Sequence, residues 1–215
     1  MNCFDFLRSR FVWLGEWCGF LFDFVVQGKL KRGPQVVTLK DAAFVSAFTG
    51  LQSGDLVVDA GAGSGWLACY LGSIVAPSGK VFSYEVREEF ALLAEENVKR
   101  AGLEGVVVVK RGNVFEEISE KNVDLVALDL AGSEKALSNA FAALRPGGKC
   151  VGYFPCFEQF KAFVLEGERI GFEHERTIEV GVREMLVRDY GCRPATKGLT
   201  HTGYLSFLCK PAGKE

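Results

Sequence analysis

The chain has 215 residues, of which 48% are hydrophobic and 24% charged, and its formal net charge is −2. This composition excludes a disordered chain, and the near-neutral charge excludes a protein that binds nucleic acid over its whole surface. A chain of this length predicts one domain, large enough to bury a substantial core.

The first 30 residues form an apolar, aromatic-rich appendage ahead of a domain predicted over 31–215. Phe4, Leu7 and Phe11 recur at helical spacing, which favours an amphipathic helix packed on the core or on another subunit. Charged side chains interrupt the apolar run, so the segment neither spans a membrane nor has the layout of a signal peptide. Association with a membrane surface is the less favoured alternative.

From residue 55 onward, short apolar runs alternate with helical patterns. The runs predict strands over 55–60, 80–85, 106–110, 123–130, 149–154, 174–182 and 203–209. The helical patterns predict helices over 66–74, 87–101 and 157–169, a further helix capped by Ser133, a helix end at Gly102 and a turn at 145–148. Strands alternating with helices predict an α/β fold, with a mostly parallel sheet covered on both faces.

The cysteines and histidines carry no metal-binding pattern. Seven cysteines are scattered without a Cys-x-x-Cys pair, and the two histidines, His174 and His201, lack a partner at metal-ligand spacing. An odd number of unpatterned cysteines is typical of free thiols in a reducing compartment. We therefore expect a cytoplasmic protein without a structural metal.

A glycine-rich loop follows the first of these strands. The strand carries Asp59 near its end and runs into Gly61-Ala62-Gly63-Ser64-Gly65 before a helix. Glycines there let the backbone turn sharply and approach a ligand closely, while the helix supplies free N–H groups. Glu85 ends the next strand, where an acid can accept hydrogen bonds from both hydroxyls of a ribose. The dinucleotide-binding fingerprint fails because Trp66 stands where it needs glycine.

The run from Asp59 to Gly65 resembles motif I of class I S-adenosylmethionine-dependent methyltransferases. The resemblance implies a Rossmann-like fold with a seven-stranded sheet, and S-adenosyl-L-methionine as the cofactor. Asn113 stands where the family usually has Asp beside the adenine, and its amide oxygen can still accept from the adenine amino group. The cofactor-binding residues implied are Gln35, Asp59, Gly61, Gly63, Ser64, Gly65, Glu85, Asn113 and Asp129. A tight turn that binds no ligand is the alternative.

Further motifs resemble one branch of that superfamily, the tRNA (adenine-N1)-methyltransferases that modify the T-loop. The motifs are KRGPQVVTLKD at 31–41, SYEVRE at 83–88, LRPGG at 144–148, YFP at 153–155, VRE at 182–184, RP at 193–194 and HTGY at 201–204. The resemblance implies methyl transfer from S-adenosylmethionine to N1 of an adenine in tRNA. It also implies tRNA, rather than DNA, as the partner, and a homo-oligomer, either a dimer or a tetramer.

N1 lies on the Watson–Crick edge of adenine, so the base must leave its stack to react. The resemblance implies that Asp129, at the end of a strand, holds the amino group of that base and stabilises the positive charge that methylation creates. Tyr153 is predicted to stack on or orient the base. His201 is predicted either to face the substrate or to form a structural hydrogen bond.

The chain departs from the family pattern on the substrate side. Ala131-Gly132 follow Asp129 where relatives usually carry proline and tryptophan, and Thr38-Leu39 replace Tyr-Pro. We also expect the N-terminal β-rich domain that is common in relatives to be missing or reduced to residues 1–30. Two groups of basic residues could contact phosphates: Lys29, Lys31, Arg32 and Lys40, and Arg183, Arg188, Arg193 and Lys197. Two alternatives therefore stay open: a methyltransferase acting on a small molecule or a protein carboxylate, and a non-catalytic RNA-binding subunit.

Overall fold

The computed structural model describes residues 30–31, 33, 36–198 and 201–213. The predictions for residues 1–29, including the amphipathic N-terminal helix, and for Gln35 lie outside the described residues. The helices are α1 (Leu39–Thr49), α2 (Trp66–Val75), α3 (Glu88–Arg100), α4 (Leu137–Ala143) and α5 (Phe157–Ile170), with a 3₁₀ turn at Ser133–Ala136. The strands are β1 (Leu56–Ala60), β2 (Lys80–Glu85), β3 (Val107–Arg111), β4 (Val123–Leu128), β5 (Leu144–Phe154), β6 (Glu173–Glu179), β7 (Met185–Leu186), β8 (Arg193–Pro194) and β9 (Tyr204–Cys209).

A seven-stranded sheet in the order β3-β2-β1-β4-β5-β9-β6 organises the chain. The strands β1 to β5 pair in parallel, whereas β9 runs antiparallel to both β5 and β6. The chain builds outward from β1 through β2 to β3, and then returns to the other side of β1 to form β4 and β5. The carboxyl ends of β1 and β4 therefore meet at a switch point, where open α/β sheets bind ligands. The predicted fold class is confirmed.

The hydrophobic core lies on both faces of the sheet. In β1, Val57 packs with α2 and α3 on one face, and Val58 packs with α4 and α5 on the other. Both side chains are fully buried. Such strands must be apolar on both faces, and this explains why they stand out in the sequence as continuous hydrophobic runs.

Helix α3 shows how local sequence sets the bounds of an element. Glu88 and Glu89 occupy its first turn, and Lys99 and Arg100 occupy its last turn, so the charges complement the helix dipole at both ends. Gly102 follows with φ of +65°, the left-handed conformation that commonly ends a helix. The predicted helix end at Gly102 is confirmed.

Two local predictions were wrong. The segment 145–148 is part of β5 rather than a turn before it, because Gly147 N–H donates to Lys210 O and Lys210 N–H donates to Gly148 O, which extends the sheet. Ser133 does not cap a helix. It lies inside the 3₁₀ turn with its Oγ buried and without a partner, and Gly132, with φ of +73°, occupies the cap position.

The described cysteines are free thiols, namely Cys69, Cys150, Cys156, Cys192 and Cys209. In the described part of the chain, no helix is long and apolar enough to cross a membrane. No group of three or more His, Cys, Asp or Glu side chains among the described residues is arranged to hold a metal ion.

Candidate active site

A cavity of about 380 Å³ opens at the carboxyl ends of the central strands. Its walls are the glycine-rich loop after β1, the end of β2, the loop after β3 and the residues that follow β4. Val36 and Val37, from the segment before α1, also line it. The volume is in the range of small-molecule sites, about 300–1,000 Å³. The sheet topology and the cavity therefore indicate the same place for ligand binding.

The glycine-rich loop adopts a backbone that other residues would resist. Gly63 and Gly65 have φ of +54° and +74°. A Cβ at Gly65 would stand 3.0 Å from Ala94 Cα on α3, so this glycine also allows the loop and α3 to approach closely. A Cβ at Gly63 would meet nothing within 4 Å. The loop is thus packed against α3 at Gly65 and open at Gly63.

Glu85 is buried at the end of β2 and lines the cavity. Its Oε2 accepts a hydrogen bond from Gly63 N–H at 2.9 Å, and its Oε1 accepts from Val86 N–H and Arg87 N–H, both at 3.1 Å. A carboxylate offers about four lone-pair positions, so one remains on Oε2 for a ligand hydroxyl. These contacts fix the carboxylate beside the glycine-rich loop.

Two buried polar atoms beside the loop lack a hydrogen-bond partner. Asp59 Oδ2 accepts from Ser83 Oγ at 2.6 Å, but Asp59 Oδ1 is unpaired, as is Ser64 Oγ. Burial raises the pKa of Asp59 to about 7, and the neighbouring charges of Asp129 and Glu85 act in the same direction. Unsatisfied buried polar atoms are uncommon. Ser64 lines the cavity, where a polar ligand would satisfy its Oγ, whereas Asp59 is not part of the lining, and its predicted contact with a cofactor stays a prediction.

The loop after β3 forms the opposite wall. Asn113 Oδ1 accepts from Phe115 N–H at 3.1 Å, and Asn113 Nδ2 donates to Glu116 Oε1 at 2.9 Å. The amide oxygen therefore has one lone pair left for the adenine amino group proposed for it. Asn139 on α4 donates to Val114 O at 2.9 Å and holds this loop from below.

Asp129 follows β4 and lines the cavity. Its backbone N–H donates to Ala60 O at 2.5 Å, which joins the ends of β4 and β1. Its carboxylate accepts no hydrogen bond from any described residue, and burial raises its pKa to about 6. This unpaired, partly buried carboxylate at the carboxyl end of the sheet is therefore available to a ligand other than the one beside Glu85.

Tyr153, near the end of β5, uses its hydroxyl within the protein. The hydroxyl donates to Thr202 O at 2.7 Å and lies 3.4 Å from Asp41 Oδ2. Burial raises the pKa of Tyr153 to about 12, so the phenol stays neutral. Tyr153 does not belong to the cavity lining. Its predicted role in orienting a base stays a prediction.

Behind Tyr153 lies a buried charged network. Lys40 Nζ donates to Asp41 Oδ1, Val180 O and Thr202 Oγ1, each at 2.6 Å. Asp41 is fully buried, and its Oδ2 accepts from Thr38 Oγ1 and Thr202 Oγ1, both at 2.8 Å. Lys40 is therefore committed to this network and is not available to phosphate, contrary to the interpretation of the first basic group. Lys31 pairs with Glu96 at 2.8 Å, and Lys29 and Arg32 lie outside the described residues.

His201 lies at the surface, away from the cavity lining. Its Nδ1 is 2.6 Å from Glu179 Oε1 and its Nε2 is 3.3 Å from Pro155 O. The hydrogen bond with Glu179 raises the pKa of His201. The ring also packs on Tyr204, with centroids 4.9 Å apart. These contacts correspond to the structural alternative, and a substrate-facing role stays a prediction.

The cavity-lining side chains that were not predicted from the sequence include Tyr84, Arg87 and Phe115. Arg87 and Phe115 come within four residues after the ends of β2 and β3, and Tyr84 lies one residue before the end of β2. The general position of ligand sites at strand ends could have found them. Tyr84 and Arg87 also lie inside the motif SYEVRE at 83–88, whereas Phe115 belongs to no motif.

The sequence comparisons identify the family. The family described as "tRNA methyltransferase complex GCD14 subunit" matches residues 27–201. This chain belongs to that family. It is 34% identical over 217 residues to the tRNA (adenine(57)-N(1)/adenine(58)-N(1))-methyltransferase TrmI of Methanocaldococcus jannaschii, covering 89% of this chain and 76% of the relative. It is 36% identical over 180 residues to the tRNA (adenine(58)-N(1))-methyltransferase TrmI of Thermus thermophilus, covering 83% and 71%.

A solved structure agrees with the observed fold. The SAM-dependent O-methyltransferase of Thermotoga maritima superposes with a TM-score of 0.82 and 32% identity, covering 91% of this chain and 72% of that one. The fold is therefore that of the S-adenosylmethionine-dependent methyltransferases.

Proposed function

We propose that this chain is an S-adenosylmethionine-dependent methyltransferase that methylates N1 of an adenine in tRNA. One observation carries the proposal: a single cavity brings together the glycine-rich loop and Glu85, suited to a nucleoside cofactor, and the unpaired carboxylate of Asp129, suited to a second ligand. The membership of the tRNA methyltransferase family supports tRNA as the acceptor.

The residues of the cavity fit the cofactor. The free lone pair of Glu85 can accept from a ribose hydroxyl, and the amide oxygen of Asn113 can accept from the adenine amino group. The unsatisfied Ser64 Oγ, in the cavity wall formed by the glycine-rich loop, can bind the amino-acid end. S-adenosylmethionine supplies a methyl group that its sulfonium has already activated, so the protein's task is positioning and exclusion of water.

Asp129 gives the target base its orientation and its charge stabilisation. When ionised, its carboxylate accepts hydrogen bonds and donates none, and the amino group next to N1 of adenine is a donor. Methylation at N1 gives the ring a positive charge. A negative carboxylate fixed nearby stabilises that charge without reorganisation during the reaction.

Incubation of the protein with methyl-labelled S-adenosylmethionine and an unmodified tRNA transcript tests the proposal. We expect N1-methyladenosine after digestion, and its loss when adenines 57 and 58, the positions in the names of the relatives, are replaced by guanine. Tight cofactor binding without label in tRNA would reject tRNA as the acceptor. Label in an adenine at another atom would reject N1.

A second candidate is an O-methyltransferase acting on a small molecule or a protein carboxylate. The likeness to the Thermotoga maritima protein favours it, since that protein is described as an O-methyltransferase and is 32% identical to this chain. Under this alternative, the same label would appear in a small-molecule extract or in protein, and tRNA would stay unlabelled. A non-catalytic subunit is disfavoured because the cavity retains the glycine-rich loop, Glu85 and Asn113, which are suited to a nucleoside cofactor.

We further propose that the protein acts as a homo-oligomer and binds tRNA through the segment 180–198. Apolar side chains in this segment are exposed, with 79% of the surface of Val187 and 82% of that of Tyr190 open to solvent. The basic group in the same segment is also exposed, namely Arg183, Arg188, Arg193 and Lys197. A cytoplasmic location is supported by the free thiols of the described cysteines.

A further inference from the structure

A buried asparagine ties the segment before α1 to the glycine-rich loop. Asn97, on α3, donates from Nδ2 to Lys31 O at 2.8 Å and to Ser64 O at 2.7 Å. Its Oδ1 accepts from Lys31 N–H at 2.9 Å. The side chain is fully buried and does not line the cavity. It joins backbone groups that lie 66 and 33 residues away in the sequence.

We call the described residues Leu30, Lys31, Gly33, Val36 and Val37, which precede α1, the strap. Leu30 is buried in the core cluster that includes α2 and α3. At Gly33 the strap runs so close to the glycine-rich loop that an added Cβ would stand 3.3 Å from Ser64 Cβ. Val36–Val37 then form part of the cavity wall. The strap therefore crosses the glycine-rich loop on its way to the cavity.

The position of the strap affects ligand affinity through conformational entropy. A segment that is free to move must be ordered when it closes over a ligand, and each residue ordered has an entropic cost. A segment held in place beforehand avoids this cost, which is the usual gain from preorganisation. Asn97 makes both an acceptor and a donor bond to Lys31, so it fixes the orientation of the strap as well as its distance.

We propose that Asn97 is a positioning residue for the cofactor. By joining the strap to Ser64, it keeps the cavity wall at Val36–Val37 in place before S-adenosylmethionine binds. The proposal rests on the proposed function, which supplies the identity of the ligand. Asn97 acts through the strap and the glycine-rich loop, and it makes no contact with the methyl group or with the tRNA.

The variant Asn97→Ala tests this role in two measurements. Calorimetric titration with S-adenosylmethionine should show about tenfold weaker binding, since the two hydrogen bonds to the strap and the one to the glycine-rich loop are lost. The kcat at saturating cofactor should stay within about twofold of wild type, because the bound state restores the wall. Hydrogen–deuterium exchange of the ligand-free protein should become faster in residues 30–37 and stay unchanged in β1 and β4.

Ser206→Ala is the matched control. Ser206 is buried on β9, which pairs with β5 and β6, and it shares a hydrogen bond of 3.0 Å with Thr177. Its replacement also removes a buried side-chain hydrogen bond, so it reports the effect of a general loss of stability. We expect unchanged cofactor affinity and unchanged exchange of the strap. Equal weakening of binding by Ser206→Ala and Asn97→Ala would overturn the proposal.

Two further variants keep the test decisive if Asn97→Ala does not fold. Asn97→Asp keeps the acceptor for Lys31 N–H but places a carboxylate oxygen against two carbonyls, so it should weaken binding at least as much. Leu30→Ala loosens the strap at its other contact and leaves Asn97 intact, and it should likewise speed exchange and weaken binding. Wild-type affinity in both variants would overturn the inference.

The outcomes separate this inference from the proposed function. If the wild-type protein does not bind S-adenosylmethionine, the proposed function fails. If the wild type binds it and Asn97→Ala binds it equally well, only the role of Asn97 is wrong. The binding and exchange measurements need no tRNA, so they do not depend on the acceptor.

Discussion

At the scale of single residues, the ionisation of Asp129 sets the pH range in which the proposed transfer works. Burial raises the pKa of this carboxyl to about 6, so it is mostly ionised at neutral pH and mostly protonated below its pKa. The protonated form has lost the negative charge that stabilises the methylated ring. We expect kcat/KM to be constant above about pH 7 and to fall towards tenfold per pH unit below about pH 6.

The variant Asp129→Asn tests this assignment. It keeps the size of the side chain and removes its charge, so transfer should fall about 10²-fold or more, while calorimetry should show little change in S-adenosylmethionine affinity. The low-pH limb of the rate profile should disappear with it. Glu166→Gln, a surface residue paired with Arg169, should keep the wild-type profile. A profile that is flat between about pH 5 and 8 in the wild type would remove Asp129 from the mechanism.

Substitution of the two left-handed glycines of the loop by alanine would distinguish the cost of backbone strain from the cost of a steric clash. Gly63→Ala introduces a left-handed alanine with no atom in its way, which costs roughly 1–2 kcal/mol of stability. Gly65→Ala adds a contact of 3.0 Å with Ala94 Cα, which belongs to the backbone of α3 and cannot turn aside. We expect Gly65→Ala to lower the free energy of unfolding by about 3 kcal/mol or more in urea titrations. Equal losses in the two variants would show that α3 yields to the new Cβ.

The residues whose position could be predicted from the sequence have partners nearby in the chain, whereas the others have partners far away in the chain. Glu85 ends a strand and Asp129 directly follows one, and both strands are visible in the sequence. Asp41 is buried because Thr202, 161 residues later, hydrogen-bonds to it, and Asn97 because Lys31 and Ser64 do. No local pattern records such partners, and a buried polar side chain in a helix looks like a surface residue in the sequence.

At the scale of secondary-structure elements, the same reasoning explains which parts of the fold were predictable. Strands β1 to β4 are apolar on both faces and stand out as continuous runs. Helix α1 buries only the small side chains Ala42 and Val45 together with Asp41, so its helical pattern is weak. The hairpin of β7 and β8 pairs only two residues on each strand and was also missed. The number of large apolar side chains that an element buries, rather than its length alone, therefore determined whether it could be predicted from the sequence.

The hydrogen-bond network around Asp41 joins three parts of the fold, so its loss should lower the stability of the protein. It links α1 to the end of β6 through Val180 and to the segment before β9 through Thr202. Asp41→Asn leaves the charge of Lys40 without its partner in a buried site, which typically costs about 3–5 kcal/mol. Thr202→Val removes hydrogen bonds without removing a charge and should cost about 1–2 kcal/mol. Both values can be measured by urea denaturation.

A ranking in which Thr202→Val is as damaging as Asp41→Asn would contradict the role of charge in this network. The position of Tyr153 adds a functional readout, because its hydroxyl donates to Thr202 O. In Asp41→Asn, we therefore expect transfer to tRNA to fall more than cofactor affinity does. Equal losses of transfer and of cofactor affinity would indicate that the network supports cofactor binding rather than the binding of tRNA.

At the scale of the whole molecule, the exposed apolar residues of the segment 180–198 predict self-association. Val182, Met185, Val187 and Tyr190 are each more than half exposed. Several exposed apolar side chains within one short segment are typical of a surface that another chain covers. A second copy is the expected partner, and sedimentation of the wild type should give the mass of a dimer or a larger assembly.

The variant Val187→Asp tests where the copies meet. A charge placed in the buried centre of an interface would have to be desolvated without a partner, so we expect the assembly to dissociate towards monomer. Leu92→Asp is the matched control, because Leu92 is a similarly exposed apolar residue on α3, 59% exposed. It should keep the wild-type mass. If Val187→Asp also keeps that mass, the segment 180–198 is not where the copies meet, and its apolar side chains would face the tRNA together with the basic group beside them.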